Sequence, residues 1–333
     1  MMLLDRVFRT SPVLSPPRKL AAIGAAMFAL AIMSAAGAAE TSHEVWLIST
    51  RRAPSSGSLQ AAEQRIDYWR LGQQHRWVKM DGDAFFNDAD PDVPTTFFVH
   101  GNRTTANMAV VDGSRVYRRM RAEADGRPFR LAIWSWPADR IPGRVRPDVQ
   151  VKAARADVQS YYLAQCLRRM DRNAPVCLIG YSFGARTIAG ALHILGGGRL
   201  AGRNLPQTAE PTPPAEPTRP TLRQAVLVGC ASDTGWLLPG RRNGLALSQV
   251  DRMLITRNGR DRKLKRYSML YRLGGPKALG YVGPAGCRLS EKIELIDVSR
   301  FVGRAHGWAC YEPSPQLRGR LGRYMHLEPS ETP

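Results

Sequence analysis

The chain has 333 residues, with 48 Lys and Arg against 28 Asp and Glu, for a net charge of +20. That length suits one catalytic-sized domain with a sizeable core plus an export segment; the basic excess favours anionic surfaces and says nothing about the fold. The five cysteines, at 166, 177, 230, 287 and 310, form no Cys-x-x-Cys pair and show no metal-ligand spacing with histidine, so neither a metal nor a cofactor is expected.

Arg6, Arg9, Arg18 and Lys19 precede an uncharged run over residues 20–39 that ends in Ala36-Gly37-Ala38. A charged start, an apolar centre and a small-residue end predict a secretory signal over residues 1–39. The run is also close to the length that spans a bilayer, so an uncleaved inner-membrane anchor over 20–39 is the alternative. Either way the rest of the chain is expected outside the cytoplasm, periplasmic or extracellular, because the positive flank stays inside. A catalytic domain over 44–320 and a tail over 321–333 follow.

Residues 45–51 read as the first strand, and 68–71 and 77–78 as the next strands of an antiparallel start. A strand over 95–99 runs into His100-Gly101-Asn102-Arg103, and an amphipathic helix is predicted over 106–123. A strand over 131–136 follows, closed by Pro137. Val151, Val158, Tyr162, Cys166 and Met170 then mark a second helix by their near four-residue spacing.

The apolar run Val176-Cys177-Leu178-Ile179 leads into Gly180-Tyr181-Ser182-Phe183-Gly184, after which Ile188, Ala191, Leu192 and Leu195 recur at helical spacing. Strand, sharp turn and helix around G-x-S-x-G are what a nucleophile elbow requires: small residues at 180 and 184 keep Cβ atoms out of the junction, and the helix N-terminus offers free N–H groups. Residues 205–220, dense in Pro, Thr and Glu, are predicted to be a solvated insert on the amino edge of the sheet, pointing away from the site. Strands follow over 224–230, 253–256 and 293–298. Alternation of strands and helices predicts an α/β fold, a mostly parallel central sheet flanked by helices.

These residues resemble the α/β-hydrolase superfamily, and more loosely its bacterial members with a Val-His-Gly oxyanion strand, here Val99-His100-Gly101. The resemblance implies a chain order of nucleophile, acid and histidine, matched by Ser182, Asp261 and His306. Asp233, one strand earlier, stays open as the acid, and Asp297 sits on the last strand; His326 is the other histidine beyond the serine. The resemblance also implies an oxyanion hole from the N–H of Phe183 and of Asn102 or Arg103, with His100 orienting that loop. Tyr181, Trp236 and Trp308 are assigned to the substrate pocket. A disulfide between Cys287 and Cys310 is one expectation in an oxidising compartment, buried free thiols the other. The implied activity is a serine hydrolase acting on a small-molecule or lipid-like ester. The alternative is a non-catalytic protein of the same fold gripping a polyanion or envelope surface with its basic face; no nucleic-acid motif with interleaved aromatics is present.

Overall fold

The computed structural model describes residues 43–54, 65–171, 173–206, 222–271, 274–286 and 290–328. The predicted leader over 1–39, most of the insert over 205–220, and Cys287 with its proposed disulfide lie outside the described residues. Cys166, Cys177 and Cys230 are buried free thiols.

The described residues form a nine-stranded sheet: β1 (Glu44–Ser49), β2 (Asp67–Leu71), β3 (Trp77–Met80), β4 (Thr95–Val99), β5 (Arg130–Ser135), β6 (Val176–Tyr181), β7 (Arg223–Val228), β8 (Arg252–Arg257) and β9 (Ile293–Asp297). Their spatial order is β3-β2-β1-β5-β4-β6-β7-β8-β9. Only β2 runs against the others, pairing antiparallel with both β1 and β3. The longer helices are α2 (Ala106–Ala124), α3 (Val145–Arg169), α4 (Phe183–Leu195) and α9 (Pro315–Tyr324), with shorter α1 (Gly82–Asn87), α5 (Arg262–Lys265), α6 (Leu279–Val282), α7 (Ser299–Val302) and α8 (Trp308–Tyr311).

The central strands are apolar on both faces because both faces are covered. Phe97, Val99, Trp134 and Leu178 point into one core with residues of α1, α3 and α4. Phe98, Leu131, Ile133 and Ile179 point into the other with α2, α8 and α9. This mostly parallel, doubly covered sheet carrying a serine elbow at the end of β6 is the α/β-hydrolase architecture expected from the sequence.

Two boundaries differ. Helix α3 begins at Val145, six residues before the predicted start, and takes Pro147 into its first turn, where a missing N–H leaves no helical bond unmade. The domain does not stop at 320: α9 runs to Tyr324, and Tyr324, Met325 and Leu327 are buried in the second core.

The order of the central strands positions the site. From β4 the chain crosses to β5 on one side and then to β6 on the other, so Val99 and Gly180 are paired neighbours. The carboxyl ends of β4 and β6 therefore flank the point where the sheet order reverses, the place where open α/β sheets bind ligands.

Candidate active site

Ser182 stands between β6 and α4 with φ 55 and ψ −114, a region that a side chain enters only when its surroundings hold it there. Its N–H donates to the Val228 carbonyl at 2.9 Å, and its carbonyl accepts from the Ala231 N–H at 3.2 Å, so the end of β7 and the loop after it hold it from both ends. Glycines allow the crowding around it. A Cβ on Gly184 would lie 1.9 Å from the Val99 carbonyl oxygen, and one on Gly101 would lie 3.1 Å from the Ser182 Cβ.

The Arg103 N–H donates to the side-chain Oδ1 of Asn102 at 2.9 Å. That leaves Asn102 as the amide donor of this loop; among the described residues neither its N–H nor that of Phe183 has an acceptor. His100 braces the loop from inside. Its Nδ1–H donates to the Gly101 carbonyl at 2.9 Å, its Nε2 accepts from the Trp136 N–H at 3.2 Å, and the Trp136 indole N–H donates to the His100 carbonyl. Full burial pushes this imidazole down to about 3, so it is neutral throughout the working range.

A consequence is measurable. Unfolded, His100 takes up a proton near the ordinary 6.5; folded, it does not until about 3. Its contribution to stability is therefore complete above 6.5 and is lost as pH falls toward 3, at about 1.4 kcal/mol per pH unit. Urea denaturation between pH 6 and 4 is expected to show a slope one proton smaller in His100→Gln than in the wild type; equal slopes would contradict the buried neutral imidazole.

Three side chains from separate loops meet beside the elbow. The His306 Nε2 lies 3.0 Å from Ser182 Oγ, and its Nδ1 lies 2.6 Å from Asp261 Oδ2. Asp261 is fully buried, Ser182 is 5 % exposed. The other oxygen of Asp261 caps α5, accepting from the N–H groups of Lys263 and Leu264 at 2.8 and 3.0 Å. Burial opposes ionisation of Asp261, but the hydrogen bond and charge of His306, the Leu264 N–H and Tyr311 outweigh it and hold its carboxyl below the usual aspartate range. Such a line lets an imidazole accept a hydroxyl proton while a carboxylate keeps it in one tautomer.

The alternatives lie elsewhere. Asp233 accepts from the hydroxyls of Tyr267, at 2.6 Å, and Tyr271. Asp297 accepts from the Ser299 N–H at the start of α7 and pairs with Arg257. His326 is half-buried beside the backbone of Leu222 and Val176 at the amino edge of the sheet, opposite Ser182. Of the three aromatics expected in the substrate pocket, Trp308 is the one that the structure removes. Trp308 is buried between Phe98 and Tyr181, their ring centres 5.0 and 6.2 Å away, because α8 turns its face into the core. Tyr181 forms a floor beneath Gly101 and His306. Trp236 is half-buried and its ring is occupied by the guanidinium groups of Arg186 and Arg242, 4.6 and 4.8 Å from its centre.

Two features escaped the sequence. Tyr311 donates to Asp261 Oδ2 at 2.7 Å, the same oxygen that meets His306, and Asn258 in turn reaches the Tyr311 hydroxyl. The three-residue spacing of Trp308 and Tyr311 was a signal for a helical turn burying one face. Arg186, one turn past Ser182, makes a two-point bond with Asp157 of α3, both at 2.9 Å. An arginine within an otherwise apolar helix is itself a sign of a buried partner.

No protein-family model matches the chain, and no curated protein matches it. Solved structures do. One is an inhibited esterase B from Lactobacillus rhamnosis, at 15 % identity over 93 % of this chain and 96 % of that one, TM-score 0.33. A thermostable esterase from Pseudomonas putida is similar at 11 % identity over 96 % and 92 %, TM-score 0.36. An S-formylglutathione hydrolase from Staphylococcus aureus is similar at 12 % over 85 % and 97 %, TM-score 0.35.

Proposed function

We propose that the chain is an exported serine hydrolase that cleaves a small-molecule or lipid-like carboxylic ester through an acyl-enzyme. The observation that carries this reading is the imidazole of His306 hydrogen-bonded at one nitrogen to Ser182 and at the other to Asp261. In this reading Ser182 Oγ attacks the ester carbonyl while its proton passes to His306 Nε2. The oxyanion that forms faces the amide N–H groups of Phe183 and Asn102, donors whose lack of an acceptor among the described residues supports the assignment. Collapse expels the alcohol, which takes the proton from Nε2. Water then attacks the acyl group, His306 accepting its proton and returning it to Ser182 as the carboxylic acid leaves. Asp261 stays ionised throughout, holding Nδ1–H and stabilising the imidazolium.

The deciding experiment is labelling with a fluorophosphonate, which bonds to an activated serine hydroxyl. Wild type is expected to take up one equivalent and Ser182→Ala none. Equal labelling of the two proteins would remove Ser182 as the nucleophile.

A further inference from the structure

We propose that the carboxyl edge of the sheet, where Ser182 lies, is a docking face for an anionic lipid bilayer. The inference goes beyond the hydrolase reading and does not need it. Three segments form a continuous band along this edge. The loop after α7 joins α5 through the bond from the Arg262 N–H to the Arg304 carbonyl, and the 3-10 turn after α5 (Tyr267–Leu270) joins α3 through Gln150 to the Leu270 carbonyl. Asp261 caps the middle of this band and His306 follows its end, so the band is attached to the site itself.

Each segment is basic. Arg262, Lys263, Lys265 and Arg266 are exposed on and just beyond α5, Arg300 and Arg304 around α7, and Arg144 and Arg146 at the start of α3. None of these eight side chains is in an ion pair with a described residue, because the carboxylates along the band have other partners: Asp148 holds Arg103 and Lys152, Asp261 holds His306, and Asp297 holds Arg257. Each segment also lifts one large apolar side chain into water: Phe301 at 50 %, Met269 at 62 % and Val145 at 62 % exposure. Met269 and Val145 are the most exposed large apolar side chains among the described residues.

Cations alone would suit any polyanion. Cations interleaved with protruding apolar tips suit a surface with phosphate outside and hydrocarbon beneath, where the charges meet headgroups and the tips enter the acyl boundary. A sugar-phosphate chain offers the tips nothing, so the bilayer is the partner these residues fit.

The test is co-sedimentation of the chain from residue 40 onward, freed of the predicted leader, with phosphatidylcholine vesicles, with and without about 30 mol % phosphatidylglycerol, a content that gives a strongly negative surface. Binding is expected on the anionic vesicles and falls steeply in high salt. Arg146→Gln/Lys265→Gln/Arg266→Gln is expected to weaken it about a hundredfold, given roughly a fivefold effect per cation. Met269→Ser, which keeps every charge, is expected to weaken it roughly fivefold by removing an apolar tip. Ser182→Ala is expected to bind like the wild type, so failure of the hydrolase reading would leave this result standing. Equal partition onto neutral and anionic vesicles, or an unchanged triple variant, would overturn the proposal. So would an inert Met269→Ser combined with full displacement by heparin, which would make the band a polyanion site.

Discussion

Ser182→Ala, His306→Ala and the double variant are expected to lose about the same factor of ester-hydrolysis rate, on the order of 10⁶ in kcat. The hydroxyl and imidazole share one proton across 3.0 Å, so removing either disables the same step and removing the second costs little more. Asp261→Asn should cost about 10⁴-fold, because the amide presents the wrong hydrogen-bonding face to Nδ1 and lets the imidazole settle in the other tautomer. Asp233→Asn should cost only a few-fold, since its side chain is bound to Tyr267 and Tyr271 rather than to a histidine. Steady-state kinetics on p-nitrophenyl esters of graded acyl length measure all of these. Multiplying losses in the double variant, or a larger loss at 233 than at 261, would break the shared-step account.

The same substitution is expected to have opposite signs at two glycines. At Gly184 an added methyl would sit 1.9 Å from the Val99 oxygen and 2.7 Å from the His100 oxygen, both backbone atoms at the carboxyl end of β4. No rotamer change relieves that clash, so α4 must move off β4, and Gly184→Ala is expected to destabilise by about 4 kcal/mol or more. At Gly319, inside α9, the methyl would meet nothing within 4 Å. There alanine should stabilise by about 0.5–1 kcal/mol, through the backbone entropy of the unfolded chain and better helix propensity. Thermal and urea denaturation of the pair read both signs. A mild effect at 184 would mean that the elbow and its neighbouring strand are not in backbone contact.

The parts of the fold that repeat were legible in the sequence. The elbow strand and helix could be read because period changes at Ser182, and the parallel strands because apolar runs alternated with helical spacing. Chain order, together with the superfamily resemblance, singled out the carboxylate and imidazole that lie beside the serine. Single turns could not be read: α5, α7 and α8 are four residues each, too short for any period, and they decide where Asp261, Asp297 and Trp308 point. That is why Trp308 was assigned to a pocket when it belongs to the core. The start of α3 could not be read from spacing, because Val145 and Arg146 of its first turn are exposed and the apolar repeat begins only at Val151. Pairings between distant helices, such as Arg186 with Asp157, leave only half of their signal in any one stretch.

The first strand has a further geometric consequence. Glu44 enters β1 at the amino edge, beside Arg130, which begins β5, on the side of the sheet opposite Ser182. Five residue steps, at most about 18 Å of chain, separate Ala39 from Glu44. A retained hydrophobic leader would tether the amino edge close to its bilayer and turn the Ser182 rim toward the aqueous side. Docking through the opposite rim on that same membrane would then be out of reach, so leader retention and rim docking are alternatives: a released protein can settle with the Ser182 rim on the bilayer, whereas a tethered one faces away from its own membrane.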